Sequence, residues 1–461
     1  MSYSPTDSPA AIRLPAFLDG RKLGRFQFLT VVMCFFMMLL DGFDTQAINY
    51  MAPAIADDWG IDKGALGGIF SAALVGLMVG YLVLSPLSVK LGHRNVILIG
   101  VAVFAISTLL SVGVQNETQL LIMRFITGLG LGMETASAIA ITAEYSPKRW
   151  RASFVLAIYC GFSLGFIVAN YTASWLIPEF GWRSVFVAGG VAPLILLVIL
   201  LRWLPESPFY LLQRGREDKM YAILRKIDST LPASGGPKIE VERPESVKKV
   251  KLRALFTGGQ LRGTVLLWLV FATNLAMFYG IQSWMPTILS EQGYEAGTLA
   301  TAASMTTIGG IVIVAVMGPA MDRLGAFGSL CVLYLLGGVF LAVMSFAIGA
   351  PIGILLTVIF LIGCSVSGGQ KSVIALASVF YREEVRAAGV SWALGIGRFG
   401  GILGPIIVGA MLAAGWGHSQ VFIALAVPSI LCGLIVLYLG ARARVLARRD
   451  AHVETEERVN A

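Results

Sequence analysis

Twelve apolar stretches, each long enough to cross a bilayer, constrain this chain more than any other feature of its sequence. A helix that spans the hydrocarbon core needs ~20 mostly apolar residues. Such stretches lie near 26–55, 66–89, 95–114, 118–142, 152–177, 183–203, 263–289, 298–320, 327–347, 351–380, 385–413 and 420–441. Within lipid each backbone N–H and C=O must find its partner in the same segment, so these stretches are expected to be helices. Composition agrees, with 56% hydrophobic and only 13% charged residues, against ~25% charged in soluble domains. The five cysteines (Cys34, Cys160, Cys331, Cys364, Cys432) all fall in apolar stretches without disulfide or metal-ligand spacing. They read as small buried hydrophobes, and no metal site is expected.

The organisation follows from the hydrophilic breaks. Residues 204–262 form one long polar connection carrying "LPASGGPK", with six spans before it and six after. The expected division is an N-terminal segment 1–25, a six-helix bundle 26–203, a linker 204–262, a second bundle 263–441 and a tail 442–461. Of the 35 Lys and Arg residues, Lys63 and Arg183 fall in alternate loops on one side and Arg124, Lys371 and Arg398 inside spans. The other 30 lie in the termini and remaining loops, which the positive-inside rule assigns to the cytoplasm, termini included. The net charge of +8 is thus a feature of cytoplasmic loops, and nucleic acid is not an expected partner.

The two halves echo each other. "SPLSVKLGHR" (85–94) follows the second span and "GPAMDRLGAF" (318–327) the eighth, aligning Gly92 with Gly325, Lys90 with Arg323 and Val89 with Asp322. "YSPKRWRAS" (145–153) likewise pairs with "FYREEVRAA" (380–388), setting Arg151 opposite Arg386. A six-plus-six parallel repeat is a plan of secondary transporters, with substrate held near the midplane.

On "DRLG" after span eight, "RFITGLGLG" (124–132) in span four and "LPESPFYLLQRGR" (204–216) after span six, the chain resembles the major facilitator superfamily. "DGFDTQAINYMAPAI" in span one, "AEYSPKRWR" (143–151) and "GIGRFGGILGP" (395–405) resemble its aromatic acid:proton symporters. The resemblance implies two pseudo-symmetric six-helix bundles and proton-driven uptake of a benzoate-type acid such as 4-hydroxybenzoate or protocatechuate by alternating access. It implies no cofactor and no enzymatic activity. The first inter-span motif departs from the family, with Val89 in place of the usual Asp and Ser85 in place of Gly, whereas Asp322 and Arg323 match. The functional unit is expected to be a monomer in the bilayer of the cell membrane.

Ionisable residues within spans are costly and are functional hypotheses by default. The inventory is Asp41, Asp44 and Glu134 against Arg124, Lys371 and Arg398, a formal sum of zero. At ~1.5 Å per residue, Asp41, Glu134, Lys371 and Arg398 lie roughly 15–22 Å from the cytoplasmic edge, with Asp44 and Arg124 further out. A carboxylate substrate would leave one negative charge uncompensated, and the least costly remedy is for one of the three acids to take a proton. Asp41, Asp44 and Glu134 are therefore the proton-coupling candidates. For Asp41 and Asp44 the plainer alternative is a structural pair beside a helix break at Gly42; for Arg124 it is a permanent ion pair with Asp44.

Arg398, in a glycine-rich face, is the expected carboxylate anchor because a guanidinium holds a carboxylate through two parallel hydrogen bonds; its alternative is an inter-helix brace. Lys371 is a second carboxylate contact or a partner for Glu134, and Gln370 is placed to meet a ring hydroxyl. Phe278, Tyr279 and Trp392 are candidates to line an aryl pocket, against a default of core packing. Glu144, Arg149, Arg151, Asp322, Arg323 and Arg386, with Glu206, form an expected gating network at the cytoplasmic edges, or an ordinary solvated cluster. A sugar-like solute or another organic anion is the alternative cargo. An intramembrane metal-dependent transferase using Asp41 and Asp44 lacks a second acidic cluster, and no Walker motif points to ATP-driven transport.

Overall fold

The computed structural model describes residues 12–13, 17, 19, 21, 23–228, 239–240, 255, 261–381 and 383–460. The rest of the expected N-terminal segment and of the 204–262 connection lies outside the described residues. Among the described residues, twelve helices are long and apolar enough to span a membrane. They are α1 (Arg25–Trp59), α2 (Lys63–Leu91), α3 (His93–Gly113), α4 (Glu117–Tyr145), α5 (Lys148–Phe180) and α6 (Arg183–Trp203). After the connection come α7 (Leu261–Glu291), α8 (Ala296–Leu324), α9 (Ala326–Ala347), α10 (Ile352–Phe380), α11 (Glu383–Ala413) and α12 (His418–Asn460). Two short helices, Pro208–Gln213 and Glu217–Ile227, follow α6. The one non-helical pairing described is two residues long, Ile12–Arg13 parallel to Ile239–Glu240. Large apolar side chains lie bare along the helices, Phe346 at 83% exposure among them. A soluble chain rarely leaves such surface open; here lipid is its solvent.

Breaks within the helices have local causes. The turns after α2 and α8 close on Gly92 and Gly325, at φ 90° and 79° with ψ 154° and 151°, a backbone state that side chains with a Cβ rarely adopt. Their alignment in the internal repeat thus reflects one turn built twice. Asn116 caps α4 by accepting the Gln119 N–H at 3.0 Å. Helix α10 carries a π-turn at Gly363–Ser367, just before Gln370 and Lys371; π-turns insert a residue and re-aim the face that follows.

By contact the chain forms two compact units. The first comprises Met1–Thr45, Val75–Ala169 and Phe180–Lys249. Its core gathers Met37, Met38, Ile97, Val101, Ala138, Ile141, Ile158 and Leu200 from α1, α3, α4, α5 and α6. Backbones meet directly where α1 crosses α5. A Cβ on Gly42 would stand 2.0 Å from the Phe162 carbonyl oxygen, and one on Gly165 2.0 Å from that of Leu39. Gly42→Ala is therefore expected to force these helices apart and lower stability by ~1–3 kcal/mol. Gly318→Ala, with no atom within 4 Å of the added carbon, is expected to be neutral or mildly stabilising. Unfolding midpoints in detergent compare the two.

The second unit comprises Gln46–Leu74, Asn170–Glu179 and Val250–Ala461. In it α11 lies backbone-close on α7: a Cβ on Gly400 would stand 1.8 Å from the Ala272 carbonyl oxygen, and one on Gly404 2.1 Å from that of Ala276. The Trp284 indole of α7 donates to the Pro405 carbonyl at 2.9 Å, and the first part of α2 joins them, with Ser71 donating to the Ile402 carbonyl at 2.7 Å. A buried polar chain runs from Asn49 to Gln46, on to Asn170 and then to Ser304, through bonds of 3.0, 3.0 and 3.2 Å. Inside a membrane such side chains must satisfy one another.

Candidate functional site

Four of the six intramembrane charges lie in the first unit and are almost fully buried. Arg124 Nη1 stands 2.9 Å from Asp44 Oδ1 and 2.8 Å from Oδ2. Its Nη2 donates to the Asp44 backbone carbonyl at 3.3 Å, and the Thr108 hydroxyl points at Oδ1 from 3.5 Å. The two side chains are 1% and 3% exposed, so this is an ion pair shut off from water. One turn earlier on α1, Asp41 Oδ2 is 3.0 Å from the Thr135 hydroxyl of α4. Glu134, next to that threonine, is 2% exposed, within electrostatic reach of Asp41 and Asp44, and its Oε2 has no hydrogen-bond partner among the described residues. A Cβ on Gly100 of α3 would stand 3.1 Å from Glu134 Cβ, so this residue of α4 packs against α3. Three acids and one base thus share the interior of one unit, with two formal negative charges left over if all ionise.

The other two bases are in the second unit. Lys371 is half-buried, and its ammonium donates to the Gly310 carbonyl of α8 at 3.2 Å. Arg398 is also half-buried, on α11 between the glycines that seat this helix on α7. Gln370 is half-buried beside Lys371. Phe278 and Tyr279 meet edge to face, centroids 5.0 Å apart at 77°. Trp392 is 43% exposed and stacks on Trp268 with centroids 6.1 Å apart at 25°. No group of three or more His, Cys, Asp or Glu able to hold a metal ion occurs among the described residues.

The family model described as Major Facilitator Superfamily matches residues 34–405, a range that takes in all six of these charges. The chain belongs to the major facilitator superfamily. It is therefore a transporter rather than an enzyme, works without a resident cofactor, and is a multi-pass protein of the cell membrane. It is 37% identical to the 4-hydroxybenzoate transporter PcaK of Pseudomonas putida over 95% of this chain and 98% of that protein. It is 35% identical to a gallate transporter of the same species over 96% of this chain and 98% of that protein. Its backbone superposes on the xylose transporter XylE of E. coli in an inward open conformation, with a TM-score of 0.68 at 18% identity, covering 89% of this chain and 95% of that one.

The superfamily's loop motifs acquire a physical role in the first unit. The loop "LPESP" after α6 docks under the α2–α3 turn. Glu206 accepts the Arg94 backbone N–H at 3.1 Å, a carboxylate placed on the N-terminus of α3 where the helix dipole favours it. Arg94 in turn donates from Nε to the Leu204 carbonyl at 2.8 Å and from Nη2 to that of Leu201 at 2.6 Å. Ser207 donates to Glu144 Oε2 at 2.6 Å and caps the following short helix, while the Tyr145 hydroxyl donates to the Glu206 carbonyl at 2.6 Å. Arg151 lies in electrostatic reach of Glu144, and Arg149 donates to the Arg21 carbonyl at 3.4 Å. Val89, where the family has an Asp, is bare at 68% exposure. Asp322 and Arg323, at the end of α8, and Arg386, on the first turn of α11, are exposed.

Sequence reasoning missed Thr135, Thr108 and Arg94. Each is an unremarkable residue type until another helix sets a carboxylate or carbonyl against it.

Proposed function

We propose that this protein takes up an aromatic carboxylate, of the hydroxybenzoate class, in symport with protons by alternating access. The observation that carries the reading is full-length similarity to transporters whose names specify 4-hydroxybenzoate and gallate, at 35–37% identity. The charge inventory supports the coupling. The three acids Asp41, Asp44 and Glu134 and the three bases Arg124, Lys371 and Arg398 sum to zero, so an anionic guest brings one negative charge that nothing balances. A proton on one of Asp41, Asp44 or Glu134 restores neutrality. The membrane potential opposes entry of an anion into a negative cytoplasm by ~2.3 kcal/mol per 100 mV, and one proton per monocarboxylate removes that opposition.

In this reading Arg398 anchors the carboxylate with Lys371 as a second contact. Gln370 meets a ring hydroxyl, Phe278, Tyr279 and Trp392 supply ring contacts, and Arg124 holds Asp44 poised. Both termini are cytoplasmic, supported by the distribution of Lys and Arg. The spans group as two pseudo-symmetric bundles, 26–203 and 263–441, joined by the 204–262 linker and flanked by segments 1–25 and 442–461. Glu144, Arg149, Arg151, Asp322, Arg323 and Arg386 act at the cytoplasmic edge during alternation, and the protein works as a monomer.

The test is uptake of labelled 4-hydroxybenzoate, benzoate, gallate and xylose into proteoliposomes under an imposed pH gradient, acid outside. An aromatic acid is expected to accumulate above equilibrium and to leak back when a protonophore is added, and xylose is not. Uptake indifferent to both the gradient and the protonophore would remove the symport mechanism.

A further inference from the structure

We propose that the transported proton rides on Asp41 and that Thr135 is the positioning residue that receives it in a hydrogen bond. This rests on the symport reading above and adds which carboxylate is loaded and what holds it in the loaded state.

The Thr135 hydroxyl sits between two acceptors. It is 2.6 Å from the Leu131 carbonyl, one turn back on its own helix, and 3.0 Å from Asp41 Oδ2. A hydroxyl has one hydrogen to give and lone pairs to receive another. The shorter contact commits that hydrogen to Leu131, so what Thr135 offers Asp41 is a lone pair. An ionised Asp41 sets oxygen against oxygen there; a protonated Asp41 completes a chain in which the carboxyl donates to Oγ1 and the hydroxyl to the Leu131 carbonyl. Thr135 and Asp41 are 6% and 2% exposed, so water cannot supply the missing hydrogen at the contact itself.

The charged surroundings point the same way. Asp44, three residues on, is already matched by Arg124 through contacts of 2.8 and 2.9 Å, and protonating it would strand a buried guanidinium. Span α4 also brings Glu134 within electrostatic reach of Asp41, but Glu134 Oε2 has no hydrogen-bond partner among the described residues to receive a proton carried there. Within this unit α5 sets the Phe162 carbonyl against Gly42, the residue after Asp41, and α3 sets the Thr108 hydroxyl against Asp44. A proton arriving from the acidic side bonds to an Asp41 carboxylate oxygen, and the same O–H bond breaks when the proton leaves to the other side. Thr135 neither gains nor loses a hydrogen in the cycle.

The experiment is the pH profile of 4-hydroxybenzoate uptake in proteoliposomes at fixed internal pH and clamped potential, less uptake by protein-free vesicles. Thr135→Val, and Thr135→Ala as a second hydroxyl-free variant, are compared with Thr135→Ser and the unchanged protein. Loss of an acceptor for the neutral acid makes loading need more protons. The pH of half-maximal uptake is therefore expected to move to lower pH by about 0.5–1 unit in Val and Ala, and to return in Ser. A purely structural role would lower the rate in all pH ranges without moving the midpoint. No shift, or a shift to higher pH, the sign expected if the hydroxyl donates to an ionised Asp41, overturns the assignment. If the unchanged protein shows no pH dependence at all, the symport reading falls and this assignment with it.

Discussion

Arg124→Ala is expected to abolish uptake and to destabilise the protein by ~3–5 kcal/mol, the usual penalty for stranding one partner of a buried ion pair. The guanidinium meets both Asp44 oxygens and the Asp44 backbone carbonyl, and neither side chain is more than 3% exposed. Water cannot take over the hydrogen bonds that the arginine leaves. Adding Asp44→Asn should recover a large part of the lost stability, since no buried charge remains, while transport stays absent. Unfolding midpoints in detergent and uptake in vesicles separate the two effects. A double variant as unstable as the single would mean that Arg124 acts by packing, not by charge. Recovery of transport in the double variant would make the pair a mere brace.

The parts of this molecule that could be read in advance are those that local chemistry dictates. Hydropathy marks the spans because lipid leaves the backbone no alternative to a helix. The ends of the helices are less legible. Helix α1 runs through Pro53 to Trp59, and α12 continues to Asn460, well past the apolar stretch expected to end near 441. Hydropathy registers where lipid stops, whereas a helix continues until its backbone is broken. The repeat was legible because Gly92 and Gly325 perform the same turn, so one steric demand wrote the same residue twice. Small residues such as the glycines of "GIGRFGG" let helices approach, and Gly400 seats α11 against the α7 backbone.

The site divides in the same way. An aspartate inside a span announces itself by its desolvation penalty, so Asp41, Asp44, Glu134 and Arg124 stood out from their neighbours. Thr135 did not: it is 94 residues from Asp41, and only the packing of α4 beside α1 gives its hydroxyl a meaning. Glu206 is similar. Its place in a charged loop was visible, but its role as a cap on α3 depends on a turn 112 residues away.

Arg398→Ala is expected to weaken the apparent affinity for an aromatic carboxylate by about 10–150-fold, the value of one to two charged hydrogen bonds at ~1.5–3 kcal/mol. Arg398→Lys is the sharper variant. Lysine keeps the positive charge but replaces a planar fork with a point charge, so it cannot reproduce a bidentate grip. If the guanidinium holds the substrate through two parallel bonds, the Lys variant should show KM raised by at least about tenfold with the maximal rate less affected. If Arg398 only braces α11, whose neighbouring glycines already lie against α7, both variants should lower the unfolding midpoint of the free protein. In that case substrate would still raise the midpoint by the same increment as in the unchanged chain. Ligand-induced stabilisation is what discriminates, because it grows with the logarithm of ligand concentration over Kd and is blind to defects shared by the free and bound forms. Loss of that increment at an unchanged resting midpoint would assign Arg398 to the substrate. A lowered resting midpoint with the increment intact would assign it to the scaffold, and the carboxylate anchor would then have to be sought at Lys371.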